Sequence, residues 1–556
     1  MTGGASDITS FSAAIVDQVP RAASGATEIG FSLPERYNAS AILFDNLERG
    51  RGEHPAVTGS GGTLSYREIC REACRFGHAL VGFGLERGER VLLFMDDTPA
   101  YPAALFGAIR AGLVPLLVNT LTPPDLLAFY LADSGARIAV ADTAFAERFA
   151  ADAVAATGLT DLIVVGGETL SGQSGAVRLH AAADLLGRQP DWLDAADTHR
   201  DDMAFWQYSS GSTGRPKGIV HLQHDMAYTA ASYARHILRI GPNDICFSVP
   251  KIFFAYGLGN SLTFPFSVGA TSVLLAGQPK PGPVFEAIAQ FRPTLFFGLP
   301  TLYTALAAAP EAASADLSSL RLCLSAAEVL ASEVAEAWRR LSGLDIVEGL
   351  GSTEVLHIYL SNDETARKPG AAGRRVPGYE IALRDMDGRE VGDGEEGILW
   401  VRGDSNAPTY WNRPDKTADT MRAEGWIYTG DRMTRDAEGF YVFRGRADDL
   451  VKVSGQWVYP LEVELCLADH PLVHECAVLA FELPDRRMTL EAYVVAAGEH
   501  RPELAQLLQA HVKTTLLPYK YPRQVHIVDA LPKTGTGKID RQSLLAQRLS
   551  RAGHAA

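Results

Sequence analysis

The chain has 556 residues, 47% hydrophobic and 21% charged, a globular composition too long for a single core, so two or more domains are expected. Its 51 Lys and Arg face 66 Asp and Glu, a net charge of −15. That balance argues against a nucleic-acid partner or an anionic membrane surface and leaves anionic ligands to locally basic pockets.

Residues 1–30 read as a loose arm, without the charged segment and apolar run of a signal peptide. "TLSYREICREACRFGHALVGFG" reads as an amphipathic helix ending at glycine, with Cys70 and Cys74 on one face. "RVLLFM" reads as a strand, "TPAYPAALFGAIRAGLVPLLV" as helix then strand, and "ARIAVAD" and "DLIVVGG" as buried strands. This alternation predicts α/β architecture with parallel sheet. Ile245–Gly277 is the most apolar long stretch. Its Pro250, Lys251, Asn260 and Pro265 suit buried strands and turns rather than a membrane span. From Arg374 to about Phe443, short strands with Gly and Asp turns predict a small, mostly antiparallel sheet. About 110 residues then read helix, strand, strand, helix, strand, glycine-threonine loop, helix, a compact α+β domain. The six cysteines lack zinc-type spacing and suit a reducing cytoplasm.

"YSSGSTGRPKGIVH" (residues 208–221) is a phosphate-loop candidate. Its glycines allow close backbone approach, its hydroxyls donate, and Arg215 and Lys217 add charge. It is not a Walker A loop, because Pro216 precedes Lys217 and Gly218 follows it. Three further segments fit a nucleotide. "GLGSTE" brings Glu354 within reach of a Mg²⁺ that bridges phosphates. "YTGDRM" sets Asp431 at a strand end, where a carboxylate can take ribose hydroxyls. "LPKTGTGKIDR" presents Lys538 to charge developing on a phosphoryl group.

In this order, and with "GRADDLVKVSG" at the domain boundary, these motifs resemble the acyl-adenylate-forming superfamily from about residue 40 to 545. "KIFFAYGLGNSLTFP", "GSTEVLHIYLSN" and "VSGQWVYPLEVE" look most like benzoate-type aryl-CoA ligases. The resemblance implies a large N-terminal domain (31–446) of two α/β subdomains plus a small β subdomain, and a mobile α+β C-terminal domain (447–556) hinged at Asp448. It implies ATP, Mg²⁺ and coenzyme A as cofactors and an aryl carboxylate as substrate. By similarity, Ser209, Ser210, Gly211, Ser212, Thr213, Gly214 and Lys217 hold the β- and γ-phosphates. Ala327 and Glu328 flank adenine, with Gly349, Gly351 and Ser352 also at the nucleotide. Thr353 meets the α-phosphate, Glu354 holds Mg²⁺, Asp431 and Arg446 grip ribose, and Lys538 bridges acyl carboxylate and α-phosphate. Lys452 serves the thioester step, with Gly455 beside the pantetheine. Ala255, Tyr256 and His357 surround the aryl ring, with Tyr303 and Ile358 as walls.

Two departures stand out. Ser325-Ala326-Ala327-Glu328 has alanine where benzoate-type enzymes commonly have glycine, which predicts a reshaped pocket. "FELPDRRMTLEAYVV" looks shorter than usual and lacks its lysine, so coenzyme A contacts there are expected to differ. A monomer or homodimer is expected. The alternative is a stand-alone adenylation enzyme that loads a carrier-protein thiol. A non-catalytic binder is disfavoured, since Lys538, Glu354, Asp431 and Arg446 are all present.

Overall fold

The computed structural model describes residues 23–166, 172–174, 177–209, 216–328, 330–447, 451–453, 456–458, 460–482, 488–498, 502–533 and 539–553. The chain is mixed α/β and divides into two units: residues 1–381 with 400–428, and residues 382–399 with 429–556.

The first unit carries two large sheets. One has eight strands in the order Lys217–Leu222, Met203–Ser209, Val114–Leu117, Arg90–Phe94, Ile138–Asp142, Asp161–Val165, Val177–Ala181 and Gly172–Ser174. The strands from Met203–Ser209 to Val177–Ala181 in that order run parallel, as the alternation predicts. The other has nine strands: Arg374–Arg375, Ile358–Ser361, Ile346–Gly351, Leu322–Ser325, Leu295–Gly298, Ile245–Ser248, Thr271–Leu274, Pro55–Gly59 and Gly62–Ser65. Leu92, Leu116, Leu162 and Trp206 anchor one core, and Phe247, Phe296, Tyr303 and Trp338 another.

Helix formation follows local chemistry. Tyr66–Gly82 opens with a capping box: the Ser65 hydroxyl accepts from the Glu68 N–H, and the Glu68 carboxylate accepts from the Ser65 N–H at 2.7 Å. Tyr66, Ile69, Cys70, Ala73, Cys74, Phe76 and Leu80 form its buried face.

Two expectations need correction. Ile245–Gly277 is not only strands and turns. Between Ile245–Ser248 and Thr271–Leu274 the chain is helical: Ala255–Leu258, a π-helical run Gly259–Thr263, then Phe264–Val268. Burial on every side erases the 3.6-residue polarity signal. The arm also holds structure. Ala23–Glu28 is helical, and the Glu28 carboxylate accepts from Arg375 at 2.8 and 2.9 Å and from the Gly378 N–H at 3.0 Å.

The run of short strands forms a four-stranded sheet, Glu380–Arg384, Glu396–Arg402, Trp426–Arg435, Tyr441–Arg446. In the second unit, Val451–Val453, Gln456–Val458, Val473–Glu482, Met488–Ala496 and Gln524–Ile527 form one sheet. Helices Pro460–Ala468 and Leu504–Thr515 close its core through Val463, Leu467, Leu504, Leu508 and Val512. Among the described residues no helix is long and apolar enough to cross a membrane.

Candidate active site

Ser209 ends one strand and Lys217 begins the next, and the two pair directly, so the stem of the phosphate-loop candidate is an antiparallel hairpin. Ser210, Gly211, Ser212, Thr213 and Gly214 lie outside the described residues. The strand after the loop is stapled to residues 409–411: the Val220 N–H donates to the Thr409 carbonyl and the Trp411 N–H to the Gly218 carbonyl. This brings in Tyr410, which sequence reasoning missed. Lys217 Nζ sits 4.4 Å from the Tyr410 ring centroid, a cation–π contact, and the Tyr410 hydroxyl donates to Glu354 Oε1 at 2.7 Å. One tyrosine therefore joins the base of the cationic loop to the candidate metal carboxylate. A half-buried carboxylate such as Glu354 fits Mg²⁺, which takes one or two carboxylates and fills its shell with phosphate oxygens and water.

Glu354 belongs to the single 3₁₀ turn Thr353–Val355, immediately after the strand Ile346–Gly351. A Cβ at Gly351 would collide with the His357 carbonyl, and one at Gly349 with the Ile358 side chain. Both glycines therefore have a packing reason in the pairing with Ile358–Ser361, besides any nucleotide role.

Ala327 has φ 74°, the left-handed region, and is exposed. The position wants glycine on backbone grounds alone, which gives the departure read from the sequence a physical measure. Ala327→Gly is expected to stabilise the protein by about 1 kcal/mol, read as a higher denaturant midpoint. An unchanged or lower midpoint would show that the methyl makes up for the strain by contacts.

Four residues beyond Thr353 the chemistry becomes aromatic. His357 is 3% exposed, with ring centroids of Phe264, Tyr233 and Tyr256 at 4.5, 5.2 and 5.5 Å. Burial pushes its pKa down to about 3, so the ring is neutral at working pH. Its Nε2 lies 3.4 Å from the Tyr256 carbonyl, among the described residues Nδ1 has no hydrogen-bond partner, and the Tyr256 hydroxyl faces the Asn260 side chain. A Cβ at Gly259 would strike the His357 ring, so the buried helical run approaches because that residue is glycine. Ala255 begins the same run and is buried, and Ile358 follows His357 into its strand. Tyr303 is fully buried, its hydroxyl given to the Leu324 carbonyl at 2.8 Å and its ring set against Phe296 and Trp338. Its contacts are those of a core residue.

Within the second unit, Asp431 and Arg446 stand directly opposite each other on paired strands. Arg446 Nη1 donates to Asp431 Oδ1 at 2.9 Å and to the Thr429 carbonyl at 2.8 Å. Asp431 is not at a strand end, as the sequence suggested, but inside Trp426–Arg435, after Gly430 in the left-handed region. Lys538, Asp448 and Gly455 lie outside the described residues, and of Lys452 only the backbone, in Val451–Val453, is described. Beyond Lys538 the chain is tied down at once: Ile539 bridges Lys533, and Arg541 grips the Glu464 carboxylate at 2.5 and 2.7 Å.

His224 was also missed. Its burial disfavours charge, but the Asp201 carboxylate, the Asp225 charge and the Arg200 carbonyl outweigh that and push it up to about 9. A raised histidine pKa adds stability that is whole below the unfolded value of 6.5, falls from there, and is gone above about pH 9. The contribution is roughly 3 kcal/mol. Stability against pH should therefore decline between 6.5 and 9 in the wild type. His224→Gln should flatten that decline, and an unchanged slope would refute the assignment.

Residues 44–411 match the family of AMP-binding enzymes, and residues 462–538 the C-terminal domain of AMP-binding enzymes. The chain belongs to this family. It is 43% identical to the benzoate–CoA ligase of Thauera aromatica, over 93% of this chain and 97% of that one. It is 41% identical to the 4-hydroxybenzoate–CoA/benzoate–CoA ligase of Rhodopseudomonas palustris, over 91% and 94%. The crystal structure of the anthranilate CoA ligase AuaEII in complex with anthranoyl-AMP superposes with a TM-score of 0.87 at 36% identity, covering 94% of this chain and 99% of that one.

Proposed function

We propose that this protein is an AMP-forming aryl-acid–CoA ligase. One observation carries the reading furthest. The five residues from Thr353 to His357 join a phosphate-side cluster (Glu354, Tyr410, Lys217) to an aromatic cradle (His357, Tyr256, Phe264, Tyr233). An aryl carboxylate set between them would point its ring at one and its carboxylate at the other.

In the first step a carboxylate oxygen attacks the α-phosphorus of ATP, the bond to the β-phosphate oxygen breaks, and acyl-AMP and pyrophosphate form. Ser209, Lys217 and the loop between them hold the β- and γ-phosphates. Thr353 donates to the α-phosphate, and Glu354 would hold the Mg²⁺ that offsets phosphate charge. Ala327, Glu328, Gly349, Gly351 and Ser352 line the adenosine, Asp431 and Arg446 the ribose, and Lys538 the developing charge. In the second step the thiol of coenzyme A loses its proton, its sulfur attacks the acyl carbonyl, and AMP leaves. Rotation about Asp448 would exchange Lys538 for Lys452 and Gly455. Around the ring, neutral His357 and Tyr256 offer polar atoms that a ring hydroxyl or amino group would satisfy, so benzoate, 2-aminobenzoate and hydroxybenzoates form the substrate class.

The test is a panel of those acids with cinnamate and hexanoate, with ATP and Mg²⁺, with and without coenzyme A. AMP turnover with benzoates only when coenzyme A is present is the expected result. A single burst of pyrophosphate, unchanged by coenzyme A, would replace it with transfer to a carrier-protein thiol.

A further inference from the structure

The turn that carries Thr353 and Glu354 is anchored at every carbonyl. The Thr353 carbonyl accepts from His221 Nε2 at 2.9 Å, the Glu354 carbonyl from the Ala407 N–H at 2.7 Å, and the Val355 carbonyl from the Ser405 hydroxyl at 2.8 Å. These partners come from two other segments of the chain. The next residue, Leu356, has φ 72°, a left-handed conformation that costs a branched side chain energy and persists only where the surroundings impose it. The anchors supply that constraint.

His221 is the most elaborately held of the three. It is fully buried, its ring stacked on Phe205 with centroids 5.1 Å apart. Nδ1 lies 2.8 Å from Asp225 Oδ2, which also accepts the Leu222 N–H at 3.0 Å. The Asp225 carboxylate therefore sets the plane of the ring, and the ring sets the height of the Thr353 carbonyl.

We infer that His221, oriented by Asp225 and helped by Ser405, is a positioning residue that fixes the Thr353–Glu354 turn against the α-phosphate during adenylation. The inference rests on the aryl-adenylation reading above. A misplacement of about 1 Å at reacting groups costs on the order of 10²-fold in rate, so release of the turn should lower kcat for acyl-AMP formation more than it weakens ATP binding.

The experiment compares His221→Asn with His221→Gln in the full chain. An asparagine amide reaches only where Nδ1 sits, keeping Asp225 and losing Thr353. A glutamine amide reaches the position of Nε2 and restores the donor. Single-turnover acyl-AMP formation at saturating ATP, the directly titrated ATP dissociation constant, and the melting temperature are read together. His221→Asn should lose about 10- to 100-fold in rate with ATP affinity within about threefold, and His221→Gln should recover to within about fivefold of wild type. Equal rates in the two folded variants, or a wild-type rate in His221→Asn, would overturn the inference. If neither variant folds, Ser405→Ala decides: a loss of about tenfold in rate at unchanged ATP affinity supports it, and an unaltered rate ends it. Failure of the underlying reading looks different, as a wild-type enzyme that forms no acyl-AMP from any aryl acid.

Discussion

Lys538→Ala is expected to slow acyl-adenylate formation by about 10²–10³-fold and to leave transfer from supplied acyl-AMP to coenzyme A within about threefold. When a carboxylate attacks the α-phosphorus, two anions meet, and negative charge gathers on the phosphoryl oxygens. A preorganised ammonium offsets that charge only in this step. In the thioester step the phosphate merely leaves. On either side of residues 534–538, Ile539 is bridged to Lys533, Lys533 pairs with Glu475, and Arg541 is held by two bonds to buried Glu464. Pyrophosphate release in a rapid-quench assay measures the first step, and thioester formation from synthetic acyl-AMP the second. Equal losses in both would assign Lys538 to binding rather than to chemistry.

What the sequence disclosed was local. The helix at Tyr66–Gly82 could be placed because Ser65 and Glu68 cap it and its apolar residues recur on one face. The parallel strands could be placed because each is a short apolar run between turn residues. The phosphate-loop candidate and the GLGSTE turn could be singled out because glycines and hydroxyls are adjacent in sequence. What escaped was long-range or conformational. His221 meets Thr353 across 132 residues, and Tyr410 meets Glu354 across 56, with no periodic or compositional mark on either. The left-handed backbone at Leu356 is invisible because leucine does not advertise it as glycine would, while at Ala327 only the glycine of similar enzymes hinted at it. The π-helical run at Gly259–Thr263 was hidden by uniform burial. Asp431 reads as a strand end in the sequence, whereas the strand continues through it to Arg435. The aromatic cluster around His357 lies between these cases. His357 and Tyr256 came from motif resemblance, but Phe264 and Tyr233, which complete the ring environment, came only from packing.

The second large effect is expected at Glu354. Glu354→Gln keeps the side-chain length and an oxygen to accept from Tyr410, so the bond at 2.7 Å can survive and the turn should hold its shape. Only the charge goes. A unit charge about 4 Å from a cation is worth about 4 kcal/mol at an effective dielectric constant near 20. Part of that is recovered by water and the phosphates, which leaves a loss of about 10²-fold in adenylation kcat/KM. The Mg²⁺ concentration for half-maximal rate should rise by about tenfold or more, since Glu354 is the carboxylate proposed to hold the ion. Manganese binding to the enzyme–ATP complex, followed by electron paramagnetic resonance, should weaken in parallel, with a melting temperature near that of wild type. Tyr410→Phe separates geometry from charge: it removes the hydroxyl beside Glu354 while keeping the ring under Lys217. That variant should lose less rate and shift the Mg²⁺ midpoint little. A Glu354→Gln enzyme that is slow with an unmoved Mg²⁺ midpoint would mean that the carboxylate serves the turn rather than the ion, and would place Glu354 with the carbonyl anchors rather than with the metal.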